Sequence, residues 1–161
     1  MESPKITHSN RPLSLCGDLI SMNSIIQYEL ERSSKDAFVM THATNPLLTA
    51  QTISNMIQTF LEQNAEYDSL MSVSTFYGRL FDKNKKPLNH ELGKLIRTQD
   101  LDPVFLENSC FYAFTKKAFE KNNSRIGNSP FYFVLSKLES IDIDDLDDWE
   151  IAEALVRYRN A

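Results

Sequence analysis

Residues 36–74 read DAFVMTHATNPLLTAQTISNMIQTFLEQNAEYDSLMSVS. Residues 36–42 form a short apolar run that ends in polar residues, which predicts a buried strand followed by a loop. Between residues 48 and 64, apolar side chains recur at helical spacing behind Thr49, a residue suited to an N-cap, and this predicts an amphipathic helix. Residues 69–74 predict a second strand. Strand, loop, helix and strand in this order form a βαβ unit, so we expect a parallel sheet with right-handed crossovers.

The rest of the chain adds elements of the same kind. Residues 108–114 and 131–134 have the composition of strands, and residues 116–121 that of a short helix. In residues 141–144, isoleucine alternates with aspartate, which predicts a strand end with both aspartates on one face. A last helix is predicted from an apolar stripe, which comprises Ile151, Ala152, Leu155 and Val156.

The length and composition are those of one globular domain. A chain of 161 residues is long enough to close a single core, so we expect one domain over residues 1–161. No apolar run reaches the length of a membrane span, so no membrane partner is expected. The N-terminal sequence MESPKITHSNRP has no export or transit pattern, and this favours a cytoplasmic protein.

The net charge bears on the partners of the protein. The formal charge is -5 at pH 7, whereas proteins that hold a nucleic-acid backbone rely on clustered Lys and Arg. No nucleic-acid partner is therefore expected. A small anionic substrate remains compatible with this charge, because a metal ion and a few local cations are enough to bind it.

A dense acidic run occupies residues 139–150. Asp142 and Asp144 would project from one face of a strand, and carboxylate oxygens suit a hydrated magnesium ion. The alternative is helix capping, since carboxylates stabilise the free N–H groups at the start of a helix. Capping accounts best for the later members of the run, which are Asp145, Asp147 and Asp148.

Polar residues follow the first predicted strand, at the edge where open α/β sheets bind ligands. His42, Thr44 and Asn45 carry hydrogen-bonding groups that suit a polar substrate. An ordinary polar loop, whose Thr and Asn satisfy backbone groups, explains the same residues and is the simpler interpretation of this loop alone.

A further group of candidates lies in the middle of the chain. Arg97 and Gln99 precede a predicted strand that contains Asn108 and Tyr112. A guanidinium binds a carboxylate through two parallel hydrogen bonds, which makes Arg97 a candidate clamp for an acidic substrate. The alternative is a solvated surface arginine.

Five stretches of the chain combine into a larger pattern. They are Arg11-Pro12 with Leu15, Gly17-Asp18 and Ser21; Thr44 to Leu47; Arg97 to Leu101 with Pro103, Glu107-Asn108 and Tyr112; Arg125 to Gly127; and Ser140 to Asp144 with Asp148 and Ala152-Glu153. In this order they resemble motifs of the acylneuraminate cytidylyltransferases, which activate nonulosonic acids with CTP. The stretches cover nearly the whole chain, and their combination is more specific than any one of them.

The resemblance implies both a fold and an activity. The implied fold is a doubly wound, mainly parallel α/β sheet of the nucleotide-diphospho-sugar transferase type, truncated at its N-terminal side. The implied activity is a cytidylyltransferase reaction that uses Mg2+. In it, the anomeric hydroxyl of a nonulosonic (sialic-acid-like) sugar attacks the α-phosphorus of CTP, and pyrophosphate leaves. The implied partners are therefore CTP and this sugar.

The resemblance also implies roles for individual residues. Asp142 and Asp144 would bind Mg2+ and take part in catalysis, and Arg97 would lie beside the reacting sugar. Asp18 and Ser21 would lie beside the cytidine. The residues implied to bind the sugar are His42, Thr44, Asn45, Gln99, Asn108 and Tyr112.

A homodimer is expected as well. The segment at about residues 79–108 is largely polar, lacks periodicity over much of its length and corresponds to an arm that reaches a second subunit in the family. Long irregular segments rarely stay ordered without a partner.

The sequence departs from the family in three respects, the first being Ser21-Met22 where the cytidine-binding loop often has paired serines. The chain has four glycines in all, and no Gly-rich loop precedes Arg11, so the phosphate-binding loop has no counterpart. Little CTP-dependent activity is therefore expected from this polypeptide alone. In the loop after the first strand, His42 replaces the glutamine of the family. Two alternatives stay open: an octulosonate cytidylyltransferase, which shares the fold, and a non-catalytic protein that binds a sugar or a homologous subunit.

Overall fold

The computed structural model describes residues 5–63 and 65–159. Within these residues the chain forms four strands and four α-helices, which alternate except that the second and third strands have no α-helix between them, and short 3-10 turns lie at Leu13–Leu15 and Thr98–Asp100. The helices are α1 (Met22–Glu31), α2 (Ala50–Gln63), α3 (Lys116–Asn122) and α4 (Leu146–Arg159). The strands are β1 (Ala37–Thr41), β2 (Ser69–Phe76), β3 (Val104–Thr115) and β4 (Pro130–Val134).

The four strands form one sheet in the order β1-β3-β2-β4. Strand β3 is antiparallel to both β1 and β2, and β2 is parallel to β4. Three strands therefore point the same way, and their carboxyl ends lie at one edge of the sheet beside the first half of β3. The predicted α/β class is confirmed. Strands β1 and β2 do run parallel, as the βαβ pattern predicts, but β3 lies between them.

Helices pack on both faces of the sheet because side chains alternate along β3. Tyr112 and Phe114 lie on the face covered by α1 and α3, and Phe111 and Ala113 lie on the face covered by α2. The first cluster comprises Ile26, Leu30, Met71, Val73, Tyr112, Phe114 and Phe119. The second comprises Met56, Phe60, Leu70, Cys110, Phe111, Ala113 and Leu135. These two layers are what a doubly wound sheet requires.

Two local predictions need correction. Residues 141–143 are irregular backbone, not a strand end, so strand alternation does not place Asp142 and Asp144 on one face. Helix α1 is absent from the sequence prediction, although Ser21 caps it and Ile26 and Leu30 form its buried side. Its short apolar stripe and two residues of β propensity near its start, Ile25 and Ile26, made the helical pattern weak.

The segment between β2 and β3 is largely irregular, as predicted. Its regular features are an isolated bridge between Phe81 and Pro87 and the 3-10 turn at Thr98–Asp100. Large apolar side chains are exposed along this segment and the strand ends that carry it, namely Phe76, Tyr77, Phe81, Leu88, Leu92, Leu95, Phe105 and Leu106.

Candidate functional site

Two segments that are distant in sequence meet at the carboxyl edge of the sheet. The loop after β1 contains His42 to Asn45, and the irregular segment before α4 contains Ile141 to Ile143. The Asn45 side-chain amide donates to the Ile141 carbonyl oxygen at 3.3 Å, and the Ile143 N–H donates to the Thr44 carbonyl oxygen at 3.0 Å. These bonds hold the two segments side by side.

Three buried polar atoms on these two segments lack a hydrogen-bond partner within the described part of the chain. They are His42 Nε2, Asn45 Oδ1 and Asp142 Oδ1. Buried polar atoms are nearly always paired, because an unpaired one loses its hydration without compensation. Three such atoms on two joined segments therefore mark a place suited to a polar ligand.

The two candidate metal ligands have different environments. Asp142 is half-buried and carries one of the unpaired oxygens, whereas Asp144 is exposed. Burial, together with the nearby Asp142 and Glu139 charges, raises the pKa of the Cys110 thiol to about 12. Asp142 thus lies near β3 as well as the loop. Among residues 5–63 and 65–159, no three His, Cys, Asp or Glu side chains form a group able to hold a metal.

Two of the remaining acidic residues, Asp145 and Asp148, cap the last helix as the capping interpretation predicts. Asp145 Oδ1 accepts from the Asp148 N–H at 3.0 Å, and Asp148 Oδ2 accepts from the Asp144 and Asp145 N–H groups at 3.1 and 3.3 Å. This reciprocal arrangement caps α4. Asp142 stands outside it, so its unpaired oxygen is not explained by the helix.

Glu139, just before the Ile141 to Ile143 segment, forms hydrogen bonds with residues at the start of helix α2. Its Oε1 accepts from the Thr49 N–H at 3.1 Å and from the Thr49 and Thr52 hydroxyls at 2.7 Å each. Partial burial by itself raises the pKa of the Glu139 carboxyl, but the hydrogen bonds from Thr52 and Thr49 outweigh this, so the pKa lies below its ordinary value of 4.5. Sequence reasoning placed Glu139 in the acidic run without a role.

Asn108 of β3 forms side-chain hydrogen bonds with β2 next to the site. Its Oδ1 accepts from the Ser72 hydroxyl at 2.6 Å and the Cys110 N–H at 3.3 Å, and its Nδ2 donates to Ser74 Oγ at 3.1 Å. These bonds lie where the β2–β3 register shifts between Met71 and Val73. The polar atoms of Asn108 are therefore engaged within the protein.

Tyr112 is fully buried but carries a dense set of polar contacts. Its hydroxyl donates to Glu107 Oε1 and accepts from Arg125 Nη2 at 3.0 Å. The Arg125 guanidinium lies 3.9 Å from the Tyr112 ring centre, and the His42 ring meets the same ring edge-on at 6.5 Å. Burial and the hydrogen bond to Glu107 raise the pKa of Tyr112 to about 12, so the hydroxyl stays protonated.

Arg125 and Glu107 were missed as site residues by sequence reasoning. Both occur in the motifs quoted for the family resemblance, but no local pattern shows that they meet at Tyr112. Their contact depends on the folding of β3 and of the segment after α3 onto one face of the sheet.

Arg97 and Gln99 lie in and beside the 3-10 turn that leads into β3. The Arg97 Nε and Nη2 atoms donate to the two oxygens of Asp100 at 2.7 and 3.2 Å, and 73% of the Arg97 side chain is exposed. Gln99 is exposed in the same turn. The fork of Arg97 is thus filled by a neighbouring carboxylate.

Asp18 and Ser21 lie at the start of α1. Ser21 Oγ accepts from the Ser24 N–H at 3.2 Å and caps the helix, and Asp18 is exposed in the preceding turn. Between α1 and β1 runs a groove of about 490 Å³, whose walls include Met40 and His42. The groove leads from this helix towards the polar atoms at the carboxyl edge.

The architecture is shared with a solved nucleotidyltransferase. The crystal structure of 4-diphosphocytidyl-2C-methyl-D-erythritol synthase from Anaerococcus prevotii superposes with a TM-score of 0.57 over 85% of this chain and 67% of that one. At 10% sequence identity, the likeness concerns the fold alone. The chain therefore has an α/β fold of the nucleotidyltransferase type.

The curated relatives narrow this class. Over 143 residues the chain is 28% identical to N-acylneuraminate cytidylyltransferase B and 27% identical to N-acylneuraminate cytidylyltransferase A, both from Danio rerio. Each alignment covers 84% of this chain, which spans about a third of the relatives' length (33%). No family model matches the sequence. The resemblance to the acylneuraminate cytidylyltransferases that the motifs predict is confirmed.

The described helices do not include a candidate for crossing a bilayer. None of them within residues 5–63 and 65–159 is both long and apolar enough for a span.

Proposed function

We propose that this domain is the sugar- and metal-binding part of a cytidylyltransferase that activates a nonulosonic, sialic-acid-like sugar with CTP. The reaction joins the anomeric oxygen of the sugar to the α-phosphorus of CTP and releases pyrophosphate. The similarity to N-acylneuraminate cytidylyltransferases supports this reaction class.

The observation that carries the proposal is the set of unpaired buried atoms at the carboxyl edge. His42 Nε2, Asn45 Oδ1 and Asp142 Oδ1 differ in chemistry but lie on two segments joined by hydrogen bonds. An imidazole nitrogen and an amide oxygen suit sugar hydroxyls, and a carboxylate oxygen suits either a hydroxyl or a cation. A sugar bound here would restore the hydrogen bonds that these atoms lack.

The residues present fit a magnesium ion. Asp142 offers a buried oxygen that no donor from residues 5–63 or 65–159 occupies, and Asp144, two residues away, offers an exposed carboxylate. Magnesium binds through one or two carboxylates and keeps several waters, so a third protein ligand is not needed. A bound magnesium ion would supply positive charge to the phosphate oxygens of the nucleotide.

The test is calorimetric titration of the purified chain with N-acetylneuraminate in the presence of Mg2+ and CTP. We expect saturable binding that is weakened at least several-fold by His42→Ala, since this change removes an unpaired buried donor or acceptor facing the sugar. The matched control is His8→Ala, because His8 is an exposed histidine near the N-terminus. Equal loss of binding in both variants, or no binding by the unchanged chain, would contradict the proposal.

The sugar class is decided in the same experiment. Titration with 3-deoxy-D-manno-octulosonate replaces the nonulosonic acid by the octulosonate of the alternative enzyme. Preferential binding of the octulosonate would favour that alternative. Sugar binding that is unaffected by Mg2+ would favour the non-catalytic alternative.

Turnover by this polypeptide alone is expected to be low. The sequence supplies no Gly-rich run of backbone N–H donors to grip a triphosphate. Pyrophosphate release from CTP and N-acetylneuraminate at an ordinary enzymatic rate would contradict this expectation.

A further inference from the structure

Arg125 lies in a contact that leaves part of its hydrogen-bonding capacity unused. Its Nη2 donates to the Tyr112 hydroxyl at 3.0 Å and pairs with Glu107 Oε1 at 3.6 Å, while its Nη1 faces Met40 Sδ at 3.6 Å. A thioether is a weak acceptor. The Arg125 side chain is 17% exposed, so one side of a largely buried guanidinium has no strong acceptor among the residues that the structure describes.

Glu107 is the only partner of opposite charge to Arg125 among the ion pairs of the described residues. Its side chain is 40% exposed, and its Oε1 also accepts from the Tyr112 hydroxyl. Its backbone pairs with Val73, next to the register shift in the β2–β3 ladder. The carboxylate therefore reaches a buried cation and a phenol from a position open to solvent.

This cluster is continuous with the proposed sugar site. The Tyr112 ring contacts the Arg125 guanidinium on its face and the His42 ring at its edge. Met40 and His42 both line the groove between α1 and β1. A ligand that engages His42 therefore has Arg125 and Tyr112 as near neighbours.

We propose that, in the free protein, the Glu107 carboxylate occupies the position that the carboxylate of a bound sugar takes. On binding, the sugar carboxylate displaces Glu107 and accepts hydrogen bonds from Arg125 and the Tyr112 hydroxyl. The inference rests on the proposed function, since it assumes an acidic sugar at this edge. Exchange of one carboxylate for another leaves the guanidinium paired, which avoids the cost of an uncompensated buried charge. Arg125 is then a substrate-binding residue, whereas the fork of Arg97 is already filled by Asp100.

The test compares N-acetylneuraminate with its methyl ester, which lacks the carboxylate charge, by calorimetric titration of the full chain. Glu107→Gln removes the competing charge, so the acid is expected to bind several-fold tighter while the ester is unchanged. Arg125→Lys replaces the planar guanidinium by a point charge. It is expected to lower the affinity for the acid roughly tenfold, the effect of losing one charge-assisted hydrogen bond. Arg157→Lys is the matched control, because Arg157 is an exposed arginine of α4 that pairs with Glu153, and it is expected to leave both affinities unchanged.

The outcomes separate this inference from the proposed function. If acid and ester bind equally well to every variant, the sugar site stands and the carboxylate assignment is overturned. An unchanged affinity of Glu107→Gln for the acid overturns the displacement of Glu107. If neither ligand binds to any variant, both proposals fail. Thermal melting of each variant monitors folding. If Arg125→Lys does not fold, the ratio of acid affinity to ester affinity in Glu107→Gln tests the inference by itself.

Discussion

The side-chain amide of Asn45 donates a 3.3 Å hydrogen bond to the carbonyl oxygen of Ile141, a residue 96 positions later in the chain. This bond joins the loop after β1 to the segment before α4. The other side-chain atom of Asn45, Oδ1, is buried and unpaired in the described structure. Asn45 therefore joins the two segments of the site through Nδ2 and leaves Oδ1 available to a ligand.

Asn45→Ala is expected to lower both stability and sugar affinity. The lost hydrogen bond should reduce the free energy of unfolding by about 1 kcal/mol. Urea denaturation measures this loss, and calorimetric titration with N-acetylneuraminate measures the affinity. Asn55→Ala is the control, because Asn55 lies exposed on α2 and its side chain accepts a hydrogen bond from Gln51 in the same helix. Equal effects of the two changes would argue against a special role for Asn45.

Mg2+ is expected to raise the melting temperature through Asp142 and Asp144. Replacing both residues with Asn should abolish this rise, since the cation loses its carboxylate ligands. Differential scanning calorimetry with and without Mg2+ measures the effect.

The control for that experiment changes Asp145 and Asp148 to Asn. These residues cap α4, and because Asn caps a helix about as well as Asp, their replacement should cost little stability and leave the magnesium response unchanged. Loss of the magnesium response in this control, or its survival in the Asp142 and Asp144 variant, would show that the metal site is misassigned.

Glu139 is expected to make stability depend on acid pH. Its pKa is lowered in the folded protein, so its ionised form contributes stability at pH values above 4.5, the ordinary pKa. That contribution is lost as the pH falls from about this value through the lowered pKa of the folded state. Denaturation of the unchanged chain and of Glu139→Gln between neutral pH and pH 3 measures the difference, which should shrink with acid. A difference that stays constant would contradict the assignment.

The irregular segment between β2 and β3 is expected to mediate a homodimer. Leu92 and Leu95 are exposed on it, Leu95 to 92%, and exposed apolar side chains in one segment favour association. Changing both to Ser should weaken the dimer in sedimentation velocity at micromolar concentration. Leu13→Ser, another exposed leucine outside this segment, should not. A compact monomer for the unchanged chain would contradict the prediction.

Much of the fold was predictable because its signals are local. The apolar run that forms β1 and the helical stripe that forms α2 each depend on the spacing of neighbouring residues, and both elements occur where predicted. The caps of α4 were also predictable, since Asp145 and Asp148 act on N–H groups within four residues of themselves.

The site was predictable only in part, because its geometry depends on contacts between distant segments. Residue type alone made candidates of His42, Asn45 and Asp142. The strand alternation that was expected to pair Asp142 with Asp144 does not occur, because residues 141–143 form hydrogen bonds with the loop after β1 and not with a strand. No local pattern indicates that their polar atoms are buried without partners. That property arises only when the two segments close over one another.

The amino-acid sequence alone was enough to predict most of the strands and helices in their order along the chain, helix α1 excepted, and the resemblance to the acylneuraminate cytidylyltransferases. The position of Arg125 on the ring of Tyr112, with Glu107 beside both, was decided by tertiary structure. Helix α3 and the turn after it separate Arg125 from Tyr112 along the chain, and only their packing on the α1 face of the sheet brings guanidinium, phenol and carboxylate together.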